Sequence, residues 1–357
     1  MSKKEFRRLT ALGRIALWFS GLLASAWMLR GVVLAFHEGW WQPEPGARLA
    51  GLLTYLAPAL VLMALVSLAL LSHEWGGALM VLAGLGLGAA ALLHSSWLSA
   101  LADMFGVHVL PLTLAVVFIG GLFGWEARLQ RKRPSPPVEA GAWRRSARWL
   151  VILAMPTVCL LVDGLPQLIR AESRYDDGIR GIRRVSGNGV TLEWAPEGPG
   201  WQCTGEGNRS WNELARYGRY EAHGQSTVWT AGMTDATTAE MAATGLGRYL
   251  RSDGRQLQAE PADVWRLPTV AEVVASLTCD GRNAGGRWDP VTGKAEYARR
   301  PNKESPLWAV HAPVSYYWTA TEADPGHAYV VTYNGRVLTL PKDRRAPAIG
   351  YRCVRSP

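Results

Sequence analysis

Five apolar stretches, at residues 15–36, 50–71, 76–99, 106–125 and 149–169, fill the first half of this chain. About 20 helical residues cross the ~30 Å hydrocarbon layer of a bilayer, and each stretch is long enough. In lipid every backbone amide must be satisfied within its own segment, so such runs are expected as helices. The first is too long and too polar inside for a cleaved leader, and no clean small-residue cleavage site follows it, so it is expected to remain as a span. The expected fold class is an α-helical transmembrane bundle of about five spans, followed by an α+β domain. The bundle is assigned to 1–169 with a basic loop at 126–148, a stalk to 170–187 and the α+β domain to 188–357.

Orientation follows from where Lys and Arg concentrate, because cytoplasmic loops carry the excess. Lys3, Lys4, Arg7, Arg8 and Arg14 precede the first span; Arg128, Arg131, Lys132, Arg133, Arg144, Arg145 and Arg148 lie between the fourth and fifth; only Arg48 follows the first. The pattern predicts a cytoplasmic N-terminus and a C-terminal domain outside, periplasmic or extracellular, at a bacterial plasma membrane. Pro134, Pro136 and Pro137 make the basic loop an extended linker. Trp40, Trp41, Trp75, Trp97, Trp125, Trp143 and Trp149 stand at span ends, where an indole meets both headgroup water and lipid.

Arg30 and Asp163 lie inside the first and fifth spans. Charge within a membrane needs a partner or a path to the interface. Two expectations follow: snorkelling outward, or an Arg30–Asp163 pair clamping the two spans. Gly84–Gly88 and Gly120–Gly124 have the small-x-x-x-small spacing that lets helices approach closely, within one chain or in a homo-oligomer. His94 and His108 near span ends do not form the acidic or histidine chain of a proton relay. The first partner expected is therefore the lipid bilayer.

Charge argues against nucleic acid. Residues 1–169 hold 14 Lys+Arg and 8 Asp+Glu, and residues 170–357 hold 24 and 21, so the soluble half lacks the basic excess a nucleic-acid face needs.

From Arg170 onward the pattern shortens. Ser210-Trp211-Asn212-Glu213, Thr237-Thr238-Ala239-Glu240 and Thr269-Val270-Ala271-Glu272 match the capping box. The last two predict helices over 238–252, stopped by Gly254, and over 270–278. Asn334-Gly335 predicts a type I′ hairpin between 328–333 and 336–340. Further short strands are expected at 190–194, 264–267, 316–319 and 351–355, and a long Gly/Pro-rich loop at 280–312, either functional or well packed.

Trp265-Arg266-Leu267-Pro268-Thr269, then Tyr317-Trp318-Thr319-Ala320-Thr321, then Gly350-Tyr351-Arg352-Cys353-Val354-Arg355 occur in that order. Together they resemble the Lcl C-terminal domain family, which belongs with formylglycine-generating (sulfatase-modifying) enzymes on a C-type-lectin-like fold; the resemblance covers roughly 188–357. It implies a compact domain whose ends meet in one antiparallel sheet. It also implies structural roles for Trp265, Arg266, Pro268, Glu272, Asn334, Gly335, Gly350 and Arg352. The reactive cysteine pair of the enzymatic branch has no counterpart in 320–349, and His223, His311 and His327 lack ligand-like spacing. No metal and no cofactor are expected. Arg300-Pro301-Asn302 is only loosely like a lectin calcium motif, because Arg300 would repel the cation.

Cys159 falls in the fifth span, while Cys203, Cys279 and Cys353 fall in the outer domain. Three thiols outside the cytoplasm suggest one disulfide and one left over. The resemblance favours Cys353 as a partner, with Cys279–Cys353 preferred to Cys203–Cys353. The family's helix cysteine is missing from 238–252.

The leading functional expectation is recognition of an extracytoplasmic ligand or protein. The candidate contacts are Trp308, Tyr316, Tyr317, Trp318, Asp324 and Arg336. Strand alternation gives Trp318 and Tyr316 an alternative place in the core. Two other expectations stand beside it: a formylglycine-generating-type enzyme with a redesigned site, and a sensor that signals through the spans to a partner.

Overall fold

A computed structural model describes residues 9–40, 44–93, 109–132, 147–225 and 234–357. Its internal contacts divide the chain into two compact units, one helical up to Ala171 and one starting at Glu172. Within the helical unit, Ala11–Leu34 is α1, Pro45–Leu71 is α2, His73–Leu93 is α3, Val109–Lys132 is α4 and Met155–Glu172 is α5. A π turn, Leu150–Ala154, leads into α5.

Among the described residues, four helices are long and apolar enough to cross a membrane: Ala11–His37, Pro45–Leu71, Leu112–Lys132 and Ala147–Glu172. The expected third span falls on α3, and its last residues lie outside the described ones, as do His94, His108, Trp41, Trp97, Trp143, most of the N-terminal basic cluster and linker residues 133–146.

Packing in this unit runs opposite to that of a water-soluble bundle. On α1 the inward stripe is largely small, with Gly13, Ala16, Ser20, Gly21, Ala24 and Gly31, while Ile15, Trp18, Phe19 and Leu22 face out. On α5, Val158, Leu161, Val162, Leu165 and Ile169 are exposed at helical spacing. Outward apolar stripes of this size suit a lipid solvent. Gly84 and Gly120 do what their spacing predicts, within the chain: a Cβ at Gly120 would lie 2.8 Å from Gly77 O, and one at Gly84 would lie 2.6 Å from a Val117 methyl. The expected Arg30–Asp163 pair does not form. Asp163 Oδ2 is buried without a hydrogen-bond partner, and α5 meets α1 through Gly164 against Val32 instead.

The second unit is α+β. A five-stranded sheet has the order β10-β9-β8-β11-β3, with β8 Tyr316–Asp324, β9 His327–Thr332, β10 Val337–Pro341, β11 Ile349–Arg352 and β3 Trp201–Gln202. A three-stranded antiparallel sheet joins β1 (Arg183–Gly187), β2 (Val190–Trp194) and β12 (Val354–Arg355). Cys353 is the step by which the chain passes from the larger sheet to the smaller. Two hairpins complete the set: β4 (Thr278–Cys279) with β5 (Arg282–Asn283), and β6 (Gly286–Asp289) with β7 (Lys294–Tyr297).

All three capping boxes are present, each Ser or Thr hydroxyl accepting from the Glu amide three residues on. The helix expected over 238–252 stops at Thr244, ahead of Gly254. Gly245 is already extended there, and a Cβ would collide with the Met241 carbonyl. Residues 264–267 contribute only a bridge, Arg266 to Val354, rather than a strand.

The two Asn-Gly dipeptides behave differently. Asn188-Gly189 has φ values of 52° and 83° and closes the two-residue β1–β2 hairpin, as a type I′ turn requires. Asn334-Gly335 does not form the predicted type I′ turn. Only Gly335 has positive φ (87°), and the loop is a turn from Thr332 to Gly335, bulged so that Thr332 N donates to Arg336 O. The expected stalk is also corrected: 183–187 is strand, and the residues before it are fastened to the domain. Asp176 takes both Arg180 nitrogens at 2.9 and 2.8 Å, and Ser305 N donates to Tyr175 O at 3.0 Å.

Candidate functional site

β8 decides the fate of the predicted aromatic contacts. Tyr317 belongs to one hydrophobic cluster, with Trp201, Trp308 and Val331, and Trp318 to the other, with Trp211, Trp265 and Val330. Both faces of this central strand are covered, so alternation sends neither ring to solvent. Trp308 stacks on Tyr317 at 3.9 Å between centroids, and the Tyr317 hydroxyl accepts from Trp201 Nε1 (2.7 Å) and donates to Leu307 O (2.9 Å). Trp308, Tyr317 and Trp318 are therefore core residues and offer no contact surface, which corrects their candidacy as contacts; for Trp318 it is the core place that alternation offered. Tyr316 is partly buried against the second cluster. Asp324 is exposed and bonded to His327 Nδ1 at 2.9 Å; that bond holds its carboxyl below the usual range. Arg336 is exposed.

The motif residues form a frame. Trp265 Nε1 donates to Arg251 O at 3.0 Å, and Arg355 lies over the Trp265 ring. Arg266 grips Glu272 with two bonds of 2.8 and 2.6 Å while Glu272 also accepts from Thr269 N. Burial would raise the Glu272 carboxyl, but the Arg266 and Thr269 donors outweigh it and hold it low. Pro268 O accepts from Ala320 N, tying the first motif to the second. Gly350 passes so close to Val314 that a Cβ would lie 2.8 Å from its methyl.

Arg352 is fully buried. Its Nε donates to Ala195 O (2.8 Å) and its Nη1 to Pro306 O (2.6 Å) and Leu307 O (2.8 Å), with the Trp201 ring against its face. Burial pulls its pKa down to about 9.

The expected Cys279–Cys353 disulfide is not formed, nor is Cys203–Cys353: none of the four cysteines is in a disulfide. The reason is topological. Cys353 is packed in the second cluster, while Cys203 and Cys279 sit in or against the first, on the other side of the large sheet. Burial raises the Cys203 thiol to about 11 and Cys353 to about 12, so both are poor nucleophiles.

Several buried polar groups escaped the sequence reading. Lys303 is fully enclosed, donates to Ala312 O, and burial holds its pKa well below the lysine range. Lys342 is buried too, donating to Ala236 O (2.7 Å), Glu322 Oε2 (2.6 Å) and Pro325 O (2.7 Å) above Trp211. Both lie in polar runs that look like loop, and no periodicity marks them. In the helical unit Glu126 is completely buried: its carboxylate accepts from Thr10 N (2.9 Å), Thr10 Oγ1 and Gln130 Nε2 (2.6 Å), capping α1. It stands one residue past the expected end of the fourth span, where it was counted as loop.

The surface is uneven in charge. Arg180, Arg183, Arg209, Arg216, Arg219, Arg248, Arg266, Arg345 and Arg355 are all ion-paired. Arg282, Arg299, Arg300 and Arg336 are exposed, and among the described residues none of them makes an ion pair, a state shared by exposed Arg184, Arg251, Arg255 and Arg287. The first four are gathered by backbone: Arg299 N donates to Ala284 O, and the Tyr297 hydroxyl donates to Gly335 O at 3.0 Å. This cationic rim is the candidate interaction site; no group of three or more potential metal ligands occurs among the described residues. Compared with protein-family models, curated proteins and solved structures, the chain matches none.

Proposed function

We propose that this chain is a multi-pass bacterial plasma-membrane protein that holds a lectin-like recognition domain outside the cytoplasm. One observation carries the reading. Helices with outward apolar stripes give way at Glu172, without a linker, to a compact unit in which, among the described residues, the exposed large apolar side chains are Tyr175, Ile179, Ile182 and Val291. The first half suits lipid and the second suits water. The basic residues flanking the spans supply the orientation. The lectin-like reading draws support from the β2–β12 pairing, which brings the two ends of the domain into one antiparallel sheet, and from motif residues that all serve the frame. With the aromatics buried, recognition falls to the exposed hairpins and the cationic rim.

Protease added to intact spheroplasts tests the sidedness. The domain should be digested and the N-terminus protected; the reverse pattern overturns the reading. Binding is tested by presenting the full-length protein in detergent to a glycan and peptidoglycan panel.

A further inference from the structure

We propose that the cationic rim and the segment 173–182 form a docking face for the anionic headgroups of the membrane in which the chain is anchored. The proposal rests on the membrane-anchored reading, though not on which side the domain occupies.

Two independent observations motivate this proposal. The first is apolar exposure. Among the described residues, the exposed large apolar side chains of the second unit are Tyr175, Ile179, Ile182 and Val291. Three of them fall within ten residues after the last apolar helix, which ends at Glu172. The fourth, 92% exposed, is the tip of the β6–β7 hairpin. The second is charge. Arg282, Arg287, Arg299, Arg300 and Arg336 are exposed and make no ion pair among the described residues, against exposed Asp280 and Glu296 nearby in sequence; Arg184, Arg251 and Arg255 are likewise exposed and unpaired among the described residues, but lie apart in sequence.

Geometry joins the two sets. A Cβ on Gly281, next to Arg282, would lie 3.1 Å from the Tyr175 ring. Ser305 N donates to Tyr175 O, and Arg174 lies over the Tyr333 ring at 5.2 Å, three residues before Arg336. Chain length supplies the occupant. Tyr175 is three residues beyond the helix end, and three residues reach ~10 Å at most. Tyr175, and with it Arg282 beside Gly281, is therefore tethered near the end of the last apolar helix. Aromatic and aliphatic side chains beside unpaired arginines are what a headgroup layer with anionic lipid favours.

The test uses the full chain in nanodiscs, with Val291→Cys carrying an environment-sensitive fluorophore. With about a third anionic lipid the emission should shift blue and be quenched by headgroup-labelled lipid, and about 0.5 M salt should reverse this. Zwitterionic discs should show little of either. Arg299→Gln and Arg300→Gln should each lower the docked-to-free ratio about fivefold. Hydrogen exchange over 281–300 in the unlabelled protein should slow in anionic discs. A probe that reports water in every lipid, with exchange unchanged, overturns the proposal. The spheroplast digestion does not depend on lipid charge, so failure here is distinguishable from failure of the sidedness reading.

Discussion

The guanidinium carbon of Arg352 sits 3.5 Å from the centroid of the Trp201 ring, and among the described residues no carboxylate accepts from it. A buried charge is held here by three carbonyls and an aromatic face. Replacing it strands those carbonyls. Arg352→Met should cost about 3 kcal/mol and Arg352→Lys, which cannot fork between them, about 2 kcal/mol; thermal unfolding of the full chain in detergent measures both. Its native pKa of about 9 lies below the ordinary 12.5, so above pH 9 the unfolded chain binds more protons. The stability gap between wild type and Arg352→Met should therefore widen as pH rises through 9.

Asp176 gives the acid-side prediction. Burial would raise its carboxyl, but Arg180, the Gly178 amide and the Ser305 hydroxyl bring it to about 2, from 3.8. A depressed carboxylate stabilises above its unfolded pKa and loses that as pH falls through the native one. The segment 172–182 should loosen between pH 4 and 2, read by hydrogen exchange. Asp176→Asn should cost about 1 kcal/mol at neutral pH, most of the nominal gain being screened by solvent, and should flatten that dependence.

The thiols give a chemical test. Unreduced protein, denatured and reacted with a maleimide, should take up four labels by mass. Cys203 and Cys353 should stay unlabelled while the fold is intact, and reductant should leave the melting temperature unchanged. A pair of missing labels contradicts the absence of a disulfide.

The two Asn-Gly turns predict opposite sensitivities at their first positions. Asn188 has φ 52°, so Asn188→Val should cost about 1–2 kcal/mol. Asn334, outside the left-handed region, should accept Ala at less than about 1 kcal/mol, losing chiefly its bond to Thr332 Oγ1.

In the bundle, Glu126→Ala removes the acceptor for Thr10 N and Gln130 Nε2 and should lower detergent stability by about 1–3 kcal/mol. Glu126→Gln keeps an acceptor oxygen and should lose less. Thermal aggregation in detergent separates the two.

The sequence reading succeeded where a local rule has one outcome. The capping boxes at Ser210, Thr237 and Thr269 and the apolar helices need only neighbours in the chain. It failed where the outcome depends on what covers a strand. Trp318 and Tyr317 looked like one inward and one outward residue because alternation presumes a wet face, and β8 has none. Cys279 and Cys353 looked pairable because spacing does not reveal which side of a sheet a residue occupies. Glu126 was misjudged by a one-residue error in a span end. Asn188-Gly189 was legible by the rule applied to Asn334-Gly335, but lay in a segment read as stalk.

The order of the strands has a consequence for folding kinetics. Strand β12, at Val354–Arg355, seals the small sheet against β2, and β11 just before it sits between β8 and β3. Val354 pairs with Trp194 and Arg352 with Trp201, so both closures join segments from opposite ends of the domain. Loop-closure entropy must be met before such non-local pairings form. The two sheets should therefore close late and together, and the head should refold slowly for its size.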